Sequence, residues 1–379
     1  MPLAFKNARL VLPDAVVDGT LAVDGTAIAQ VDDTPAAPDG AIDCEGDYLM
    51  PGLIELHTDN VEKHYQPRAQ VYWDGMAAAI AHDGHIATSG ITTVYDSVCL
   101  GLAEKGELRA VHMKPIIDGI VEAREYGMLR ADHRIHLRCE VIGAGVLAQL
   151  ADFDDHPLVG LVSLMDHAPG QRQTANLDIW YKLRVEVDGM SEDQAKAEHA
   201  RLSHASANWG PRHRRAIANW ARDRGISLAS HDDETVEHVT ESVEIGCSIA
   251  EFPTTKAAAT ASREHGMAVL IGGPNLVRGR SSYGNITARD LAADGLLDIV
   301  SSDYVPASML HAVFTLTDEV DGWDLPRAVA TVTATPAKHA GLDDRGLLEP
   351  GKRADLIRVK VINGRPVVRG VWVAGDRVA

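Results

Sequence analysis

Between residues 51 and 344 short apolar runs alternate with stretches of helical periodicity. The runs are Leu53–Leu56, Ile91–Tyr95, Ile135–Glu140, Leu158–Leu164, Ile226–Ala229, Cys247–Phe252, Ala268–Ile271 and Leu297–Val300. Near-continuous apolar runs of this length read as strands buried on both faces. Between them, Val236, Val239 and Val243 are spaced to line one helix face. Ile217, Trp220 and Ala221 do the same, with Gly225 placed to cap their helix. Eight strands alternating with helices predict a (β/α)8 barrel of the TIM type over residues 51–344. The ends read differently. Residues 1–50 contain Leu3–Leu12 and Thr20–Val31, broken by Pro13-Asp14 and Asp24-Gly25. Residues 345–379 contain two apolar runs, Asp355–Val361 and Arg369–Val373, with Asn363-Gly364 between them, a strong hairpin signal. Neither end closes a core alone, so both are expected to share one small β-domain outside the barrel.

Composition narrows the function classes. The chain has 36 Lys and Arg against 54 Asp and Glu, a formal charge of −18. Such a surface argues against nucleic-acid binding. No apolar run approaches the roughly 20 residues of a membrane span, and the first residues lack the pattern of a signal peptide. The expected location is the cytoplasm, with no membrane partner. Cys44, Cys99, Cys139 and Cys247 show no paired spacing and read as buried thiols. A homo-oligomer is compatible with this composition.

In barrels of this kind the chemistry sits at the C-terminal ends of the strands. The first strand ends in Glu55-Leu56-His57-Thr58-Asp59, and residues two apart share a face, so His57 and Asp59 point into one mouth. The third ends in Arg138-Cys139-Glu140, the fourth runs into Asp166-His167, the fifth into Ser230-His231-Asp232, and the eighth into Ser301-Ser302-Asp303. Imidazoles and carboxylates converging from separate strands suit a divalent metal, Zn²⁺ foremost and Mn²⁺ next. The expected ligands are His57, Asp59, Glu140, His167, His231 and Asp303, holding about two ions. Asp303 is also placed to take a proton from the attacking water.

The same residues carry a resemblance. Met50-Pro51-Gly52-Leu53-Ile54-Glu55-Leu56-His57 resembles the barrel opening of the amidohydrolase superfamily, and Leu347–Leu356 resembles its exit from the barrel. The usual His-x-His is His57-Thr58-Asp59 here, and no Lys is placed as the carbamylated bridge. A Glu on the third strand replaces that bridge in a subset of the superfamily, which would make Glu140 the bridging ligand. The sixth strand ends in Glu251, where many members have His. His57-Thr58-Asp59-Asn60, the run Met165-Asp166-His167-Ala168-Pro169-Gly170-Gln171-Arg172-Gln173, and Glu251-Phe252-Pro253-Thr254-Thr255 resemble the PhnM family of the carbon–phosphorus lyase pathway. That resemblance implies hydrolysis of α-D-ribose 1-methylphosphonate 5-triphosphate to the 5-phosphate and pyrophosphate.

A phosphorylated sugar of this kind is a small anionic partner and needs cations at the mouth. Two divalent ions would be nearly cancelled by Asp59, Glu140, Asp303 and a hydroxide. The loop after the seventh strand, Gly272 to Asn285, supplies Arg278 and Arg280 among glycines, where barrels often bind phosphate. Arg172, Lys256, Lys63 and Arg68 lie beside other strand ends. Two alternatives stay open at this point. One is hydrolysis of a C–N bond by the same centre; the other is a non-catalytic scaffold.

Overall fold

The computed structural model describes residues 3–34, 37–101, 107–281 and 285–379, with side chains omitted at 107–112. Eight parallel strands pair in sequence order: β1 (Leu53–Thr58), β2 (Ile91–Leu100), β3 (Asp132–Glu140), β4 (Val159–Met165), β5 (Ser227–His231), β6 (Ile249–Glu251), β7 (Ala268–Gly272) and β8 (Ile299–Ser301). The barrel is nearly closed. Just past β8, the Asp303 amide donates to His57 O at 3.0 Å, and the Asp59 amide donates to Asp303 O at 2.9 Å. These two bonds join the ends of the sheet and fix Asp303 beside β1.

All eight strands expected from the apolar runs are present, with shifted ends. β2 runs on past Tyr95 through Asp96 and Ser97, polar residues that look like a strand terminus in the sequence. Tertiary partners keep them inside. Ser97 Oγ accepts from the Thr58 amide at 3.1 Å, and Asp96 binds two histidines. Gly225 ends the helix Glu192–Asp223 with φ +65°, and Ile217 and Ala221 are buried. Val236 departs from its expected face. It opens the helix Val236–Glu244 and is 48% exposed, whereas Val239 is buried.

The termini build one separate sheet. Leu356–Ile362 runs antiparallel to Tyr48–Pro51, which runs parallel to Leu3–Val11. Val16–Asp24 and Ala27–Asp32 extend one side, and Arg365–Val373 the other. Asn363 and Gly364 have φ of 50° and 71°, the left-handed pair that a tight two-residue hairpin needs. Gly52, at the passage into β1, has no room for a side chain: a Cβ would lie 2.2 Å from Thr92 Oγ1. The sheet's core is Phe5, Leu10, Leu21, Leu49, Leu356 and Trp372. Phe5 and Trp372, from opposite termini, meet edge to face at 4.8 Å. Trp372→Ala should cost about 3–5 kcal/mol, the usual range for a large aromatic in a core. Urea unfolding of the variant would show this, and a loss under about 1 kcal/mol would mean the two ends are not held together through this contact.

A second buried feature is polar. Asp96 Oδ1 lies 2.7 Å from His82 Nε2, and its Oδ2 lies 2.7 Å from His133 Nδ1. His133 Nε2 reaches Asp83 at 3.3 Å, and Asp83 accepts from the Arg130 and Ala131 amides. All four side chains are fully buried. Burial opposes charging of His133, but the Asp96 carboxylate outweighs it and Asp83 adds to the effect, lifting the imidazole to about 9. The carboxyl of Asp96 is held well below its ordinary range, with His133 and His82 overcoming its burial. A raised histidine contributes stability that is complete below its unfolded value of about 6.5 and is lost as pH climbs through about 9. Stability should therefore fall by a few kcal/mol between neutral pH and about 9.5, and His133→Gln should flatten that fall. Parallel alkaline losses in both proteins would show that His133 is not charged in the fold.

Candidate metal centre

The C-terminal ends of the strands surround a cleft of about 520 Å³. Three strand ends turn away from the barrel through left-handed residues that are not glycine: Asp232 (φ 57°), Phe252 (φ 53°) and Asp303 (φ 55°). Such conformations are costly and cluster at functional sites. Here each is held by a bond to a neighbouring strand. The Asp232 amide donates to Glu251 O at 2.9 Å, and the Phe252 amide to Leu270 O at 2.8 Å. The Asp303 amide makes its bond to His57 O.

Two groups of ligand-type side chains face this cleft. His57, Asp59 and Asp303 form one; His167, His231 and Asp232 form the other. Within each group the donor atoms lie within 4.8 Å of one another. The groups adjoin, with the rings of His57 and His231 5.7 Å apart. Each imidazole meets a carboxylate through Nδ1. His57 Nδ1 lies 3.0 Å from Glu251 Oε1, His231 Nδ1 lies 2.7 Å from Asp232 Oδ2, and His167 Nδ1 meets Glu140 Oε2. An ionised carboxylate accepts, so Nδ1 carries the proton and Nε2 keeps its lone pair. This is how metal-binding histidines are oriented in proteins. The donor set therefore fits divalent ions.

Charge is arranged to match. Burial alone would raise Glu251, but His57 and His136 outweigh it and hold its carboxyl down at about 2. Burial raises the carboxyl of Asp303; His57 opposes this and Asp59 adds to it. Arg138 Nη1 donates to both oxygens of Asp59, at 2.8 and 2.9 Å.

The structure brings His57, Asp59, His167, His231 and Asp303 around one cleft, as their strand ends suggested. Glu140 sits behind His167, receiving its backbone amide at 3.3 Å as well as its Nδ1, and is absent from both ligand groups. Arg278 and Arg280 line the cleft, together with Ser281 and Asn285. Residues 282–284 of that loop lie outside the described residues. The other four cations are placed elsewhere. Arg172 is buried against Asp233 and the His231 carbonyl. Lys256 pairs with Asp294 at 2.7 Å on the surface. Lys63 donates to Tyr304 O, one residue from Asp303. Arg68 is exposed in a turn with Val71.

Three charged residues of the cleft or its wall lie outside the expected ligand set: Arg138, Asp232 and Glu251. Strand parity carries a signal for the first. His136, Arg138 and Glu140 alternate on one face of β3, so a ligand reading of Glu140 also places Arg138 at the mouth. Glu251 ends β6 as counted from the sequence, and its role emerges only from its contact with His57 across the barrel.

Comparison with known proteins agrees with this geometry. The amidohydrolase family profile matches residues 214–378. The α-D-ribose 1-methylphosphonate 5-triphosphate diphosphatase of Escherichia coli K12 is 43% identical over 380 aligned positions, covering 99% of this chain and all of that protein. An adenine deaminase of Nitratidesulfovibrio vulgaris is 27% identical across the chain, which spans 57% of its length. The N-acetylglucosamine-6-phosphate deacetylase of Pasteurella multocida superposes over the full length of both chains with a TM-score of 0.64 at 16% identity. A zinc-bound adenosine deaminase of Xanthomonas campestris gives 0.63 at 16% identity, over 99% of this chain and 92% of its own. At such identity the two structures establish the fold alone. Full-length similarity at 43% identity, on this barrel, establishes that the chain belongs to the amidohydrolase family and, within it, to the family of the E. coli diphosphatase.

Proposed function

We propose that the protein hydrolyses α-D-ribose 1-methylphosphonate 5-triphosphate, releasing pyrophosphate and leaving the 5-phosphate. The observation that carries this is the 43% identity to the E. coli diphosphatase over both whole chains. The cleft is consistent with it, since Arg278 and Arg280 stand beside two ligand groups whose carboxylates would otherwise repel a triphosphate.

His57, Asp59 and Asp303 would hold one divalent ion and His167, His231 and Asp232 a second, Zn²⁺ or Mn²⁺ by their donor chemistry. Such ions polarise a phosphate oxygen and make water more acidic. Asp303 accepts the proton of the attacking water as its oxygen bonds to phosphorus and the α–β anhydride bond breaks. Glu251 and Glu140 keep His57 and His167 in the tautomer that presents Nε2. Arg278 and Arg280 bind the terminal phosphates. The leaving pyrophosphate carries away the electron pair of the broken bond.

The arginines separate this reaction from hydrolysis of a neutral C–N substrate. A charged hydrogen bond contributes roughly 1.5–3 kcal/mol, or about 10- to 150-fold in kcat/KM. Arg280→Ala and Arg278→Ala should each lose activity on a ribosyl triphosphate by that order while retaining their ions. Raising salt should weaken the wild type as well, because both side chains are exposed. Unchanged kcat/KM in both variants at both salt concentrations would remove phosphate binding from this loop.

A further inference from the structure

Arg138 stands between the two ligand groups, on the floor of the cleft and 7% exposed. Its backbone is held in the paired interior of β3, so only its side chain has room to change partners. Its Nη1 is committed to Asp59, and Nη2 lies 3.3 Å from His231 Nε2. Asp232 takes the proton on His231 Nδ1, so the atom facing Nη2 is the lone pair on Nε2. Nε of Arg138 is buried with no partner among the described residues. The guanidinium thus engages one side chain from each group, Asp59 and His231, and at His231 it faces the Nε2 lone pair that an ion would take. His231 Nε2 has one lone pair, so a guanidinium N–H and an ion cannot both contact it, and at Asp59 the two cations repel each other.

We propose that Arg138 is displaced by the ions and then binds phosphate. Before ions bind, it would neutralise Asp59 and cap His231. When the ions take those atoms, the freed N–H groups of a buried guanidinium need a new anion. The cleft admits one from above, the phosphate next to the bond that breaks. Arg138 would then be the innermost of three arginines along the triphosphate, with Arg278 and Arg280 further out. The second half of this proposal rests on the diphosphatase reading; the first half does not.

The two halves give effects of opposite sign, which a purely structural role cannot do. Removing Arg138 removes a competitor of the ion and a ligand of the phosphate. In the full-length chain, Arg138→Met should bind Zn²⁺ about tenfold or more tighter, measured by competition with a chelator and no substrate present. At saturating Zn²⁺ the same variant should bind pyrophosphate roughly 10- to 100-fold more weakly by calorimetry. Arg138→Lys keeps the charge without the fork and should fall between wild type and Arg138→Met in both measurements. Should the Met variant fail to fold, the Lys variant still reads both arms: tighter Zn²⁺ with weaker pyrophosphate supports the proposal. Weaker or unchanged Zn²⁺ binding on removal of Arg138 overturns the displacement, because it would mean that Arg138 merely holds Asp59 in place. Unchanged pyrophosphate affinity overturns the phosphate contact. A wild type that binds no pyrophosphate overturns that contact through the diphosphatase reading, while the Zn²⁺ arm still tests the displacement.

Discussion

Asp303→Asn is expected to lower kcat by roughly 10²- to 10⁴-fold, the scale of general acid–base catalysis, while ion content stays near normal. The substitution preserves shape. Asp303 is positioned by its backbone, through the paired bonds to His57 and Asp59 that close the barrel, and these do not depend on the side chain. An amide oxygen still points into the cleft but accepts no proton. Asp303 sits half-buried beside Gly272 and Tyr304, where it lines the cleft. Ion content and kcat measured on the same preparation separate the two roles of this residue. Near-normal turnover with the ions bound would remove Asp303 as the base; loss of the ions together with activity would make it chiefly a ligand.

His231→Ala should have the second large effect, on ion binding itself. His231 lies within reach of His57, His167 and Arg138, and its Nε2 faces the space between the two ligand groups. Losing it should weaken ion affinity beyond the roughly 10- to 100-fold typical of an outer partner, and abolish turnover at ordinary ion concentrations. Glu140→Gln supplies the contrast. Glu140 touches His167 and not the shared cleft, so its loss should stay within that 10- to 100-fold range. Equal losses in the two variants would place Glu140 among the ligands, as the resemblance to the superfamily implies.

The barrel was legible because its strands are continuous apolar runs, and the terminal sheet because Asn363-Gly364 admits few conformations other than a hairpin. The ligand positions were legible from parity: His57 and Asp59 are two apart at one strand end, and His231 and Asp303 follow apolar strands directly. Partner choice was not. Arg172 and Lys256 look alike beside their strand ends, yet one is buried on Asp233 and the other pairs with Asp294 at the surface. Nothing local to either residue encodes that partner. Asp96 reads as the end of β2 because its histidine partners come from a preceding helix and a following strand. The role of Arg138 depends on how β3 sits between β1 and β5 across the mouth, a property of the closed barrel rather than of any one segment.

The central claim is a reaction, and phosphorus NMR of its products tests it directly. The purified protein, loaded with Zn²⁺ or Mn²⁺, is mixed with α-D-ribose 1-methylphosphonate 5-triphosphate. The triphosphate resonances should give way to equimolar pyrophosphate and 5-phosphate, with the methylphosphonate signal intact. A chelator should stop the conversion and added ion should restore it. An unchanged triphosphate spectrum from ion-loaded protein, alongside turnover of a cyclic amide by the same preparation, would contradict the account and assign the centre to C–N hydrolysis.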